Sequence, residues 1–310
     1  MVLVFSLLLN LPGLVNSARA AAPTAAAATL PLTECSLMVG VGAAQTPVAA
    51  RCGTLSVPEN RADPASRKID LAVMVLPALN PGTTGLPIFH LEGGPGGSAI
   101  TNFGQGWYVA YQGFRATHPV VLVDQRGTGK STSLQCTEIT QAALADLNMA
   151  DTTDSANAAA LERYAACLAR LSKTTDPQHY TSAASAADLD DVRAALGYDQ
   201  ILVFGNSYGT WLGQFYLKAF GQHVAGMVLD SVVGPWNKPD LEAPISGQQA
   251  LDKVIGLCVA DTTCNRKYPD LPQKLETALT RLQKQPLSVS ATSTVSGKSY
   301  PMVMTADRLR

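Results

Sequence analysis

Short apolar runs alternate with longer stretches of helical periodicity along most of this chain. Gln200–Phe204 (QILVF), Pro87–Leu91 (PIFHL), Pro119–Val123 (PVVLV) and Val224–Leu229 (VAGMVL) have the length and apolarity of buried strands. Cys52–Val57 and Lys68–Leu76 read as earlier strands, the second enriched in β-branched and apolar residues. Pro81-Gly82 marks a turn after that pair. Ser155–Leu171 and Ser185–Leu196 carry apolar residues at helical spacing, and Gly197 closes the second. Thr210–Phe220 (TWLGQFYLKAF) reads as a helix directly after the QILVF strand. Strands alternating with helices predict an α/β fold, a mainly parallel sheet with helices on both faces. Ligand sites in such sheets lie at the carboxyl ends of the strands.

From Pro235 the pattern changes. Gln248–Ala260 and Leu271–Gln283 read as amphipathic helices separated by Pro269, and Ala291–Tyr300 as a polar Ser/Thr loop or β turn. Residues 35–234 therefore form the expected core, and residues 235–310 the start of a helical lid. The last residues, Thr305-Ala306-Asp307-Arg308, look like a helix N-terminus.

The chain has 310 residues, of which 46% are hydrophobic and 15% charged, enough for a sizeable buried core. Its formal net charge of −1 argues against a general nucleic-acid binder. Val2–Val15 is mostly apolar and Ala18-Arg19-Ala20 offers a cleavage site, so residues 1–20 read as an export signal. The run lacks a basic start and is broken by Asn10 and Pro12, so no stable membrane insertion is expected. Residues 21–34 read as an alanine-rich, disordered lead-in. Six cysteines suit an oxidising destination, secreted, periplasmic or in the cell envelope. Cys35 and Cys52 flank the start of the fold, Cys136 and Cys167 flank an excursion, and Cys258 and Cys264 stand close enough to staple a helix end. These neighbour pairings are one choice among fifteen. Neither C-x-x-C nor H-E-x-x-H spacing is present, so no metal site is expected.

Gly205-Asn206-Ser207-Tyr208-Gly209 carries the chemistry. A sharp turn from strand to helix lifts the Ser207 hydroxyl out of the backbone, and flanking glycines permit the close approach the turn needs. The alternative, a serine merely capping a helix, does not account for the other motifs. Acyl transfer needs a nucleophile, a base and donors for the developing oxyanion. Ser207 is the expected nucleophile. The expected donors are the backbone N–H groups of Tyr208, which begins the helix, and Gly94, in the loop Glu92-Gly93-Gly94-Pro95-Gly96-Gly97. Asp124-Gln125-Arg126-Gly127-Thr128-Gly129-Lys130-Ser131 ends like a phosphate-binding loop, but Asp124 stands where that loop requires its first glycine, so no nucleotide is expected. Asp124 and Arg126 read instead as supports for the oxyanion loop, together with Glu92 and Gly93.

The EGGPGGS loop, the DQRGTGKS loop, the AADLDDVRAALGYD helix and the GNSYGT elbow occur here in one order between Leu91 and about Pro235. Together they resemble the exported tripeptidyl and prolyl aminopeptidases of the α/β-hydrolase superfamily. The resemblance implies an α/β-hydrolase fold and a serine exopeptidase, without a cofactor, that trims short units or proline from peptide N-termini. Glu92 stands where the prolyl branch usually carries histidine, which leans the reading to the tripeptidyl branch. The family places its Asp and His after later strands, which this sequence does not contain. His223 and His118 precede strands, so they lie at the amino end of the sheet, roughly 20 Å from the serine for a six-residue strand. His90 lies within a strand and reads as a core histidine, and His179 precedes a helix near the productive end. Asp230 ends a strand at the productive face, where some hydrolases place the acid. The expectation is an N-terminal part of a longer hydrolase, nearly inactive alone. An esterase or lipase and a non-catalytic hydrolase-like binding protein are the alternatives.

Overall fold

A computed structural model describes residues 29–309, except 43, 64, 81, 83, 84, 150–152, 295 and 296. The expected export segment, the lead-in as far as residue 28 and Pro81 of the expected turn lie outside the described residues.

The chain runs through β1 (Thr33–Val39), β2 (Thr46–Pro58), β3 (Lys68–Leu76) and β4 (Ile88–Leu91). A crossover follows: α1 (Ala99–Asn102), a π-helical turn (Phe103–Trp107) and α2 (Gln112–Arg115) lead to β5 (Val120–Val123). The excursion α3 (Thr137–Asp146) and α4 (Thr153–Leu171) precedes a 3₁₀ turn (Pro177–His179) and α5 (Ser182–Ala195). Then come β6 (Ile201–Asn206), α6 (Tyr208–Phe220) and β7 (Val224–Asp230). The last part holds α7 (Pro239–Ala260), α8 (Thr262–Lys267), α9 (Leu271–Lys284), β8 (Leu287–Thr292), β9 (Ser299–Met304) and α10 (Ala306–Leu309).

The main sheet has the order β1-β2-β3-β5-β4-β6-β7. β5, β4, β6 and β7 are mutually parallel, and β2 runs with them, while β1 and β3 run against them. The central strands β3, β5, β4 and β6 alternate their side chains between two cores, as pleating requires. Phe89, Leu91, Val121, Val123, Ile201 and Val203 pack with Leu189 and Val192 of α5 and Leu212 and Tyr216 of α6. Ile88, Val120 and Leu122 pack on the other face with Ile100, Phe103 and Tyr111 of the first crossover. Both faces are therefore covered, and such a sheet needs the continuous apolar strands seen in β4 and β5.

Two boundaries differ from expectation. The fold begins before residue 35: the Leu30 side chain is buried in the core, its N–H donates to the Ala195 carbonyl, and β1 starts at Thr33. Leu30 and Leu32 bring apolar surface that the alanines before them lack. The expected loop or β turn Ala291–Tyr300 is the tip of a hairpin, whose strands β8 and β9, paired antiparallel, were not expected. Leu287-Ser-Val-Ser-Ala-Thr alternates with period two, a strand signal hidden by its polar composition. The three disulfides are Cys35–Cys52, Cys136–Cys167 and Cys258–Cys264, joining β1 to β2, the residue before α3 to α4, and α7 to α8. No helix among the described residues is long and apolar enough to cross a membrane.

Candidate active site

Ser207 sits between the end of β6 and the start of α6 with φ 51° and ψ −121°, a conformation that L residues rarely adopt. The neighbouring glycines are sterically required. A Cβ on Gly209 would overlap the Leu91 carbonyl, and one on Gly205 would come within 2.5 Å of the Gly209 carbonyl oxygen. The turn is fastened from both sides. Ser207 N–H donates to the Asp230 carbonyl (2.9 Å), and the buried Thr210 donates to the Ser207 carbonyl through both its N–H (2.9 Å) and its hydroxyl (2.7 Å). Tyr208 is the first residue of α6, so its N–H has no acceptor within the helix.

The loop after β4 lies directly against this turn. A Cβ on Gly93 would approach Asn206 Nδ2, the Asn206 carbonyl oxygen and Ser207 Cβ to 3.1 Å each, so a side chain there would push its neighbours apart by a few tenths of an ångström. Gly94 and Gly96 take φ of 120° and 100°, and the Gly94–Pro95 peptide is cis. Gly93 N–H donates to Glu92 Oε1 at 3.0 Å. Gly94, the next residue, is exposed.

A sequence profile described as the alpha/beta hydrolase fold matches residues 87–253, more than half of the chain. The chain belongs to the α/β-hydrolase fold family. It is 32% identical over 218 residues to the tripeptidyl aminopeptidase of Streptomyces lividans, which covers 63% of this chain and 38% of that protein. It is 38% identical over 84 residues to the serine protease Hip1 of Mycobacterium tuberculosis H37Rv, covering 27% of this chain and 16% of the relative. The matched regions thus span less than two fifths of the length of these curated relatives.

Within this hydrolase fold, the loop after β5 holds the glycine-rich loop in place. The buried Asp124 accepts from Ser98 Oγ (2.9 Å) and Ile100 N–H (3.1 Å) through Oδ1, and from Lys130 N–H (2.8 Å) through Oδ2. It therefore caps α1 and closes its own turn at once. Gly129 permits this, because a Cβ there would overlap Asp124 Oδ2. Gln125 Nε2 donates to the Glu92 carbonyl at 3.3 Å. The side chain of Arg126 is fully buried and donates to Asp188 through Nε (2.6 Å) and Nη2 (2.7 Å). It also donates to the carbonyls of Glu59 (2.9 Å), His179 (2.7 Å) and Pro58 (3.3 Å). One guanidinium thus ties the β5 loop to the end of β2, the 3₁₀ turn and α5.

Several members of this scaffold were not singled out from sequence. Asp188 sits in the AADLDDV segment, where it binds Arg126 and Arg61, while Asp190 binds Arg193 and the Tyr216 hydroxyl. Three acids on one short helical stretch was the available signal. Glu59 is buried and accepts from Arg67, Asp176 N–H and the Tyr180 hydroxyl. Burial pushes its carboxyl up, but these donors outweigh it and hold the group below the usual carboxylate range.

None of the four histidines hydrogen-bonds Ser207. His118 Nδ1 meets the Leu86 carbonyl and His223 Nδ1 the Asp199 carbonyl, both at the amino end of the sheet. His179 pairs with Asp176 at 3.4 Å. His90 is buried between Tyr111 and Glu92. Asp230 lies at the carboxyl end of β7, where its backbone carbonyl, not its side chain, contacts Ser207.

Proposed function

We propose that this chain carries the nucleophile half of a serine peptidase that removes short units from peptide N-termini through an acyl-enzyme on Ser207. The observation that carries the reading is the strained Ser207 held at the carboxyl end of β6 with the glycine-rich loop packed against it. Its hydroxyl attacks the scissile carbonyl. The oxyanion that develops is held by the N–H groups of Tyr208 and Gly94, and one such donor contributes about 10²–10³ in rate. The collapse of the tetrahedral intermediate expels the amine of the shortened peptide, and water then releases the acyl unit. Similarity to a tripeptidyl aminopeptidase and to a serine protease supports peptides as the substrate class.

A serine needs a base to take its proton. None of the four histidines hydrogen-bonds Ser207, so the described residues show no base paired with it. Three disulfides that pair all six cysteines support a secreted or cell-envelope location, because such bonds persist in oxidising compartments. The test is a fluorophosphonate probe applied to the chain and to its Ser207→Ala variant. Slow labelling that disappears in the variant is the expected result. Labelling at the rate of a complete serine hydrolase would overturn the missing base, and labelling that survives in the variant would overturn Ser207 as nucleophile.

A further inference from the structure

His90 and Glu92 form a buried pair under the glycine-rich loop that the acyl-transfer scheme does not use. The side chain of His90 has no exposed surface and that of Glu92 is 7% exposed. The imidazole is enclosed by Phe103, Trp107, Tyr111 and Phe204, with ring centroids 5.3–5.9 Å away. Its Nδ1 lies 2.9 Å from the Tyr111 hydroxyl and its Nε2 3.1 Å from Glu92 Oε2. The second carboxylate oxygen, Oε1, accepts Gly93 N–H, and the Asn102 side chain is a further hydrogen-bond partner. Burial pushes the Glu92 carboxyl up, but His90, Gly93 N–H and Asn102 together hold it below the usual carboxylate range. Glu92 is therefore an ionised acceptor with its oxygens engaged inside the protein, and it is not a free carboxylate for the ammonium group of a peptide. An ionised Glu92 accepts the hydrogen bond of Nε2–H, and in the neutral imidazole Nδ1 then accepts from the Tyr111 hydroxyl.

We propose that Glu92, locked by His90, is a positioning residue that selects which N–H of the loop serves the oxyanion. By taking Gly93 N–H inward it turns the next peptide outward, leaving Gly94 N–H as the available donor beside Ser207. This proposal rests on the hydrolase reading for the use of Gly94, while the placement of the loop stands on its own geometry. Conservative replacement separates charge from shape. In Glu92→Gln the amide oxygen still accepts Gly93 N–H, but its NH₂ then faces Nε2. His90 accommodates it by moving its proton to Nδ1, and the Tyr111 hydroxyl becomes the acceptor. In Glu92→Ala Gly93 N–H has no partner.

The experiment combines amide hydrogen exchange, imidazole ¹⁵N spectra and fluorophosphonate labelling on the wild-type chain and both variants. In Glu92→Ala, Gly93 exchange accelerates at least about tenfold while amides of β6 and α5 do not change, as expected for local opening. Labelling of Ser207 slows about tenfold or more, within the loss expected for a misplaced oxyanion donor. Glu92→Gln keeps near wild-type exchange and labelling and shows His90 as the Nδ1–H tautomer. Unchanged Gly93 exchange in Glu92→Ala, or an unchanged His90 tautomer in Glu92→Gln, overturns the positioning role. Normal labelling in Glu92→Ala with accelerated exchange overturns the selection of Gly94. If the wild type labels too slowly to compare, as a serine without its base can, exchange and tautomer alone decide the placement of the loop.

Discussion

Removal of the Arg126 side chain is the perturbation whose cost follows most directly from the structure. Arg126 makes five hydrogen bonds, two to Asp188 and three to backbone carbonyls of Pro58, Glu59 and His179. In Arg126→Ala the buried Asp188 keeps only Arg61, whose side chain is 25% exposed. Breaking one side of a buried ion pair costs about 3–5 kcal/mol, because the remaining charge stays desolvated. Three unpaired carbonyls would each add about 1–3 kcal/mol if water could not reach them. The retained Arg61 and entering water offset part of both, so the expected loss is about 4 kcal/mol. That corresponds to a fall in Tm of about 8–16 °C for a core of this size.

Urea unfolding followed by tryptophan fluorescence reads the change, and a double-mutant cycle with Asp188→Ala apportions it. Once Asp188 is absent, removing Arg126 no longer strands a carboxylate, so the double variant should be more stable than the sum of the singles predicts by about 2 kcal/mol. An Arg126→Ala variant within about 1 kcal/mol of wild type would refute the argument that this guanidinium fastens four segments. Additivity in the cycle would refute the pairing with Asp188 as the main term.

The pH dependence of stability should carry the signature of Glu59. Its carboxyl titrates lower in the folded chain than in the unfolded one, so its stabilising contribution is complete above the unfolded pKa of about 4.3 and is lost as pH falls through the lower folded value. Urea midpoints measured from pH 7 down to pH 3 should therefore fall more steeply in wild type than in Glu59→Gln, and equal slopes would count against the depressed carboxyl. Arg308 ties α10 to the end of α3, donating to the carbonyls of Asp146 (2.5 Å), Leu147 (3.1 Å), Met149 (2.9 Å) and Val303. Arg308→Ala should speed limited proteolysis of the β8–β9 hairpin about tenfold without lowering the unfolding midpoint of the main sheet, and protection equal to wild type would show that the clasp is dispensable.

What was legible in the sequence is what depends on local pattern. Lys68–Leu76 is a strand with the bounds its β-branched run implied, and the elbow glycines meet the backbone at the turn where G-x-S-x-G places them. The cysteine pairs coincide with sequence neighbours because each joins adjacent elements. The part that was not legible depends on long-range closure. Arg126 and Asp188 are 62 residues apart and Glu59 and Asp176 are 117 apart, and no periodicity joins them. His90 is the core histidine its place within a strand implied, but its partner Tyr111, 21 residues further on, was not singled out. The β8–β9 hairpin was missed differently: serine and threonine on its polar positions masked a period-two alternation.

The two halves of the site are held by separate networks, and this bears on how the strain at Ser207 is sustained. A non-glycine residue at positive φ costs on the order of 1–3 kcal/mol and persists only where its surroundings over-determine it. Here the restraint comes from the β7 side: the Asp230 carbonyl takes Ser207 N–H, Thr210 grips the Ser207 carbonyl, and the Thr210 hydroxyl also accepts Val233 N–H at 2.8 Å. The glycine-rich loop is restrained from the β5 side by Asp124 and Gln125, and from within by Glu92 and His90. The halves touch where Gly93 packs on Asn206 and Ser207. A strained serine fixed by one network and a glycine-rich loop fixed by another can each be perturbed without releasing the other. Loosening the β5 network should therefore move the glycine-rich loop while leaving the serine in its strained conformation.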